Sequence, residues 1–282
     1  MNSKIIVGID FSECSLNALA HAVNIAEKSD LGVVMIWVNK FSEEKVLNHS
    51  NDLLLSGAKM HFEKLIEKYK PVIGDRISYV IKEGNVYESI NELCRELQPL
   101  LVVIGTHGIS GFSEKWLGSN AYRMSLMLDV PVIIIRNNID ETKPLTNILL
   151  PIDSTVETRQ KLPLTAKLAS YFDATIHVLA VHTSILDDII ARVKNYAKQV
   201  VEYLDDRKIK YEYDELYSRN LVEDIIEYTD RKDINLLSIM DEQETTFKNV
   251  FDGSYTLQLV TKSKCPVLVS HMKNVFSVIS IV

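Results

Sequence analysis

The stretch LLVVIGTHGISGFSEKWLGS, residues 100–119, joins a run of apolar residues to a glycine-rich loop. The apolar run 100–104 predicts a strand that is buried on both faces, as strands of parallel sheets are. The loop contains four glycines and ends in Gly118-Ser119, a pair typical of the start of a helix. A strand, a glycine-rich loop and a helix start, in this order, indicate a place where the backbone can approach a ligand closely.

The first part of the chain aligns with its second part. KIIVGIDFSECS (4–15) aligns with NILLPIDSTVET (147–158), which places Asp10 on Asp153 at an offset of 143 residues. Internal similarity over this length indicates a repeated structural unit. The sequence therefore predicts a tandem duplication.

The spacing between the repeats changes once. GNVYESINEL (84–93) aligns with RNLVEDIIEY (219–228) at an offset of 135, and Gly118-Ser119 aligns with Gly253-Ser254 at the same offset. Because 143 minus 135 is 8, the second repeat has lost 8 residues between positions 39 and 84 of the first.

Each repeat alternates predicted strands and helices. In the first, the strands are 4–10, 33–38, 77–83, 100–104 and 130–136, and the helices are 13–29, 43–69, 86–97 and one from 119. Such alternation predicts parallel sheets with right-handed crossovers. A polar linker, 137–145, separates the repeats. The predicted fold is α/β, with two tandem open parallel five-stranded sheets, helices on both faces, and domains over 1–140 and 145–282.

Composition excludes several classes of protein. The net charge of −7 argues against a general nucleic-acid binder. No apolar run reaches the roughly 18 residues of a membrane helix, and the apolar run before Asp10 is too short for a signal peptide. Cys14, Cys94 and Cys265 are odd in number and far apart, which favours buried thiols in a reducing compartment. We therefore expect a cytoplasmic protein without membrane or nucleic-acid partners.

The glycine-rich loop is expected to face the end of the first strand. In open α/β sheets, ligands bind beyond the carboxyl ends of the strands, where the strand order reverses. If strands one and four are neighbours there, Asp10 and Gly105 lie across one crevice. The free N–H groups and dipole at a helix beginning at Gly118-Ser119 would suit a phosphate.

Two other phosphate-binding motifs do not fit this loop. The number of glycines alone is equally compatible with a flexible loop that binds no ligand. A P-loop requires lysine after its last glycine, and here Ser119 and Asn120 follow Gly118. The dinucleotide fingerprint GxGxxG is absent, since the pattern is GxxGxxG and follows the fourth strand. The position of the loop at the expected crevice favours a ligand site.

The spacing Gly105-x2-Gly108-x9-Gly118-Ser119 resembles the nucleotide-binding signature of the universal stress proteins, G-2x-G-9x-G-[ST]. The resemblance covers nearly the whole chain as two such domains. It implies five-stranded sheets of order 3-2-1-4-5, an antiparallel pair between the last strands of the two halves, and binding of ATP or AMP. A bound triphosphate would bring Mg²⁺, held largely by phosphate oxygens and water.

The resemblance also implies a set of nucleotide-binding residues. Residues at the end of the first strand would flank the adenosine, Val38 would contact adenine through its backbone, and the rest would surround the ribose and phosphates. The set is Gly8, Ile9, Asp10, Val38, Ile104, Gly105, His107, Gly108, Gly118, Ser119 and Asn120. Two alternatives stay open: Asp10 caps the helix that begins near Ser12, and His107 is a solvated loop residue. Trp37 is expected to pack in the core.

The chain departs from the family pattern at two places. Ile109 stands where many relatives carry a basic residue, and the nearest cation in the loop is Lys115. Because the loop has no anchored cation for the phosphates, we expect the chain to bind nucleotide with micromolar affinity, about −8 kcal/mol. In the second repeat, Met240 and Gln243 replace the first two glycines, and three acidic residues follow among positions 241–244. We therefore expect no ATP binding there.

Three functions are compatible with these residues. The first is a nucleotide-binding regulator of the stress response, acting as a homodimer or with a regulatory protein partner. The second is a weak ATP hydrolase, although no Ser-His-Asp order, paired carboxylates or metal-ligand cluster stands out. The third is a scaffold that binds no nucleotide.

Overall fold

The computed structural model describes residues 3–39, 49–106, 121, 124, 127–137, 139–241 and 254–271. The first half contains β1 (Lys4–Gly8), α1 (Glu13–Lys28), β2 (Gly32–Asn39), α2 (His49–Ile73), β3 (Ile77–Glu83), α3 (Val86–Leu97), β4 (Leu101–Gly105) and β5 (Val132–Ile135). The second half contains β6 (Asn147–Ile152), α4 (Leu162–Phe172), β7 (Thr175–His182), α5 (Asp187–Asp206), β8 (Tyr211–Tyr217), α6 (Leu221–Arg231), β9 (Leu236–Met240), α7 (Tyr255–Lys262) and β10 (Val267–Ser270).

The strands form one sheet of ten, in the order β3-β2-β1-β4-β5-β10-β9-β6-β7-β8. Each half therefore has the expected order 3-2-1-4-5 with parallel neighbours. The halves meet where β5 pairs antiparallel with β10, for example Ile133 with Leu268. Both strands are wholly buried, and all their residues except Ser270 are apolar, so their pairing covers two edges that could otherwise pair with other chains. The expected pairing is confirmed, and it merges the two predicted sheets into one.

Two layers of helices cover the sheet and enclose a core on each face. One core lies under α1, α2, α4 and α5, and the other lies under α3, α6 and α7. Phe62 of α2 is fully buried and stacks on Tyr79 of β3 at 4.6 Å between ring centroids. Helices on both faces of a parallel sheet are what its apolar strands require.

The predicted helix boundaries hold except around α2 and after the glycine-rich loop. Helix α2 runs past the expected end at Tyr69 to Ile73, with Pro71 in its last turn. Pro71 has no N–H to donate and its ring crowds the preceding turn, but the buried Ile73 anchors the end of the helix. The predicted helix start at residues 43–48, and that at Ser119, lie outside the described residues.

Polar side chains of α1 hold the linker between the halves. Asn17 and Asn24, two turns apart on α1, donate through Nδ2 to the carbonyls of Ile139 and Glu141, each at 2.8 Å. Beyond β5, the Arg136 guanidinium donates to the carbonyl of Ser263 at 3.0 Å. These bonds fix the linker and the second half against the first.

Candidate functional site

The first-half crevice forms at the carboxyl ends of neighbouring strands. Strand β1 pairs parallel with β4, with Val7 opposite Val103, so the residues after Val7 lie beside Gly105. Strand β2 flanks β1 on its other side. Six sequence-predicted residues converge at this edge: Gly8, Ile9, Asp10, Val38, Ile104 and Gly105. The others, His107, Gly108, Gly118, Ser119 and Asn120, lie outside the described residues.

Several predicted site residues have buried side chains, so they would contact a ligand in the crevice through their backbone. Ile9 is 5% exposed and Ile104 is 2% exposed, and their side chains belong to opposite cores. Val38 is half-buried against the same core as Ile104. Trp37 instead packs on the core beneath α1 and α2, with its ring centroid 6.4 Å from that of Phe11. The packing expected for Trp37 is the one observed.

Asp10 organises the loop between β1 and α1. Its Oδ1 accepts from the Ser12 backbone N–H at 3.0 Å and from the Ser12 hydroxyl at 2.5 Å. Ser12 is the N-cap of α1, accepting from the Ser15 N–H. The interpretation of Asp10 as the cap was therefore wrong in detail, because Asp10 holds the residue that caps.

The same arrangement recurs in the second half. Asp153 Oδ1 accepts from the Thr155 N–H at 2.7 Å and from its hydroxyl at 2.5 Å. The Asp153 N–H donates to the Thr158 hydroxyl at 3.1 Å, as the Asp10 N–H donates to Ser15 in the first half. Because the turn recurs, the aspartate has the same structural role in both halves. Serine or threonine at two and five residues past each aspartate was the sequence signal for it.

Phe11 adopts an uncommon backbone conformation beside the crevice. Its φ of +64° is in the left-handed region, which is costly for an aromatic residue. Ring contacts with His61 and Phe62, each at 5.1 Å between centroids, hold it there. Such strain tends to occur at ligand sites, where surrounding packing maintains it.

Gly105 has a packing reason as well as its predicted ligand role. A Cβ at this position would lie 2.8 Å from Cys14 Sγ and 3.0 Å from the Cys14 carbonyl carbon and oxygen. Glycine therefore lets the first turn of α1 lie directly against β4. In the second half Met240 occupies the aligned position, and a 3-10 helix, Val156–Arg159, replaces the first turn, so that α4 begins only at Leu162.

The crevice of the second half contains its own anion. The Asp241 carboxylate is 8% exposed, and its Oδ2 lies 3.3 Å from Nδ1 of His271. Its Oδ1 accepts from the Thr256 hydroxyl at 3.1 Å, in the first turn of α7. This is the helix terminus that Ser254 caps, and it aligns with the terminus predicted to bind phosphate in the first half.

The thiols and metal-ligating residues show no reactive centre in the described ranges. Burial raises the pKa of Cys94 to about 12 and that of Cys265 to about 11, so both thiols stay protonated near neutral pH. Among the described residues, no three histidine, cysteine or carboxylate side chains are grouped to hold a metal ion.

No helix within these residues has the length and apolarity to span a bilayer.

The fold is that of an open α/β sheet, in which ligands, where they bind, occupy the crevice at the reversal of strand order. The sequence profile described as the universal stress protein family matches residues 1–136 and again 144–271. The chain belongs to the universal stress protein family, as the resemblance implied.

Named relatives match one half of the chain. Universal stress protein MJ0531 of Methanocaldococcus jannaschii is 30% identical over 138 residues, which cover 47% of this chain and 81% of the relative. Universal stress protein YxiE of Bacillus subtilis is 26% identical over 148 residues, which cover 48% of this chain and all of the relative.

Solved structures of similar fold cover both halves of the chain. A universal stress protein from Archaeoglobus fulgidus superimposes with a TM-score of 0.77, covering 95% of this chain and 98% of that one. The two sequences are 15% identical, so this similarity concerns the fold.

Proposed function

We propose that this chain is a stress-response regulatory protein that binds ATP or AMP in the crevice of its first half only. The observation that carries the proposal is the pairing of β1 with β4, which places residues 8–10 beside Gly105, the first glycine of the nucleotide signature. Magnesium would accompany a triphosphate through its phosphate oxygens. We also propose domains over 1–140 and 145–282, because β5 ends at Ile135 and β6 begins at Asn147.

The proposal that nucleotide binds only in the first half rests on Asp241 and Met240 of the second half. The Asp241 carboxylate already interacts with Thr256 and His271 at the helix terminus, and its charge would repel a phosphate there. Met240 replaces the glycine that aligns with it in the first half. The second half then serves as a structural or regulatory partner of the first, joined to it through β5 and β10.

The regulatory role is favoured over a catalytic one. The Asp10 carboxylate at the crevice already accepts hydrogen bonds from the Ser12 N–H and hydroxyl, so we expect any hydrolysis to be slow. ATP turnover abolished by Asp10→Ala would instead support the weak hydrolase, and protein that ignores ATP would support the scaffold. The three cysteines are all free and buried, which supports a reducing location such as the cytoplasm. The bound nucleotide would then determine how the chain forms a homodimer or interacts with a regulatory protein partner.

The first test is mass spectrometry of small molecules released from the purified full chain. We expect an adenine nucleotide when the protein is kept well above the micromolar dissociation constant throughout purification, because most of the site then stays occupied. The proposal would be contradicted if the extract contained no adenine nucleotide and the purified chain also failed to bind added ATP.

Asp10→Ala and Asp153→Ala are expected to lower stability equally but to differ in binding. Each removes the same turn, at a cost of about 1 kcal/mol in the free energy of unfolding, measurable by urea denaturation. Only Asp10→Ala should weaken ATP binding. Asp10→Asn retains an acceptor for Ser12, so weaker binding by that variant would report on the nucleotide itself. Unchanged ATP affinity in both Asp10 variants would remove Asp10 from the site.

A further inference from the structure

Phe11 has a backbone conformation that its counterpart in the second half does not share. Phe11 aligns with Ser154 at the offset of 143 residues. Among the described residues, φ is positive at Phe11, where it is +64°, but not at Ser154. Bulky residues rarely adopt this left-handed region, because their Cβ crowds the following carbonyl oxygen. The first half therefore contains a strained residue at a position where the second half has none.

The hydrogen bonds of the turn do not explain this difference. In both halves the aspartate Oδ1 accepts from the N–H and the hydroxyl of the residue two positions further on, Ser12 or Thr155. Both aspartate N–H groups also donate to a hydroxyl five positions further on. Because the same bonds form around Ser154 without a left-handed residue, the turn does not require the conformation of Phe11.

The packing of the Phe11 ring differs between the halves. Its centroid lies 5.1 Å from those of His61 and Phe62 and 6.4 Å from that of Trp37. Phe62 is fully buried, so this side of the cluster is fixed in the core. In the second half a serine replaces Phe11 and Ala180 aligns with Trp37, so the rings at both positions are missing. The aromatic cluster thus anchors the Phe11 ring and holds its backbone in the left-handed region.

Phe11 lies where the chain passes from the sheet to α1. Up to Ile9 the sheet fixes the backbone, since the Ile9 N–H donates to the Ile36 carbonyl at 2.8 Å. From Ser12 onward the cap of α1 fixes it. A change of φ at Phe11 would rotate the peptide group that joins it to Asp10 relative to the helix. This peptide group follows directly on residues 8–10, which lie beside Gly105 in the crevice.

We propose that Phe11 is a positioning residue for the nucleoside part of the ligand, and that its anchored ring keeps the backbone of residues 9–11 in the conformation that binds. This role rests on the proposed function, because it concerns the same crevice. When a binding conformation is populated only in part, the apparent affinity falls by the populated fraction. The ring would therefore strengthen binding without contacting the ligand.

Two substitutions at position 11 separate the backbone conformation from the ring. Alanine removes the ring and disfavours the left-handed region, so Phe11→Ala should weaken ATP binding about tenfold. Glycine also removes the ring but adopts this region about as readily as the right-handed one. Phe11→Gly should therefore bind ATP at least about threefold more tightly than Phe11→Ala. Calorimetric titration of the full chain measures both affinities, and circular dichroism checks that each variant is folded.

Adenosine and the second half provide the controls. Adenosine should lose affinity by the same factors as ATP, since residues 8–10 are predicted to flank the adenosine. Ser154→Ala and Ser154→Gly should bind ATP as the unmodified chain does, because the first half alone is proposed to bind it.

The outcomes distinguish this role of Phe11 from the proposed function. Equal ATP affinities of folded Phe11→Ala and Phe11→Gly would overturn the positioning role, because the backbone conformation would then not matter. Adenosine binding that ignores both substitutions would overturn it as well. In either case ATP binding by the unmodified chain would leave the proposed function intact. If the unmodified chain does not bind ATP, the proposed function fails and the role of Phe11 fails with it.

Discussion

Gly118→Val is expected to weaken ATP binding about a hundredfold, a loss of about 2.7 kcal/mol, while the chain stays folded. The nucleotide signature predicts that Gly118 lies where a phosphate would approach the start of the predicted helix. A branched side chain there would occupy the space of the phosphate and block the N–H groups that bind it. Fluorescence titration with a labelled ATP analogue measures the loss, and circular dichroism checks the fold.

Gly253→Val provides the matched control. Gly253 aligns with Gly118 at the offset of 135, and both lie outside the described residues. If only the first half binds nucleotide, the same substitution in the second half should leave ATP affinity unchanged. Equal losses in the two variants, or unaltered binding by folded Gly118→Val, would show that the phosphate site has been misplaced.

Gly105→Ala is expected to destabilise the fold by about 1–3 kcal/mol, the usual cost of overpacking a close contact. The new methyl group would meet Cys14 Sγ at 2.8 Å and two backbone atoms of Cys14 at 3.0 Å. Because two of these atoms are backbone, relief requires α1 to move away from β4. Urea denaturation of the purified variant measures the change in the free energy of unfolding.

Gly57→Ala tests whether the effect is specific to position 105. Gly57 lies in α2, and a Cβ there meets no atom within 4 Å. Alanine should stabilise that helix by about 0.5–1 kcal/mol. Adding Cys14→Ala to Gly105→Ala should recover only part of the loss, since the backbone contacts remain. Gly105→Ala with unchanged stability would show that α1 does not depend on this contact.

The sequence predicted the fold well where periodic burial and the repeat determine it. The strand order of each half and the antiparallel joining of β5 and β10 are observed as expected. Fusion into one sheet of ten strands depends on how two edges align in space, which the repeat alone does not specify. The continuation of α2 to Ile73 depends on burial of that residue, which overrides the proline signal.

The site was less predictable because tertiary contacts decide much of it. The strand ends and the glycine spacing indicated the crevice, but the turn made by Asp10 and Ser12 was missed. The signal for this turn was present in both repeats, where serine or threonine follows the aspartate at the same spacing. The pairing of Asp241 with Thr256 and His271 joins three separate segments of the chain. Carboxylates near the second-half loop were visible in the sequence, whereas the burial of Asp241 at the helix terminus required the structure.

Isothermal titration calorimetry of the nucleotide-free full chain with ATP and Mg²⁺ tests the central claim most directly. The account predicts one nucleotide per chain with a dissociation constant near micromolar, about −8 kcal/mol. Only one site is expected because the Asp241 carboxylate and the Met240 side chain would disfavour a phosphate in the second half. Two equivalent sites per chain, or no heat of binding across the micromolar range, would contradict the account.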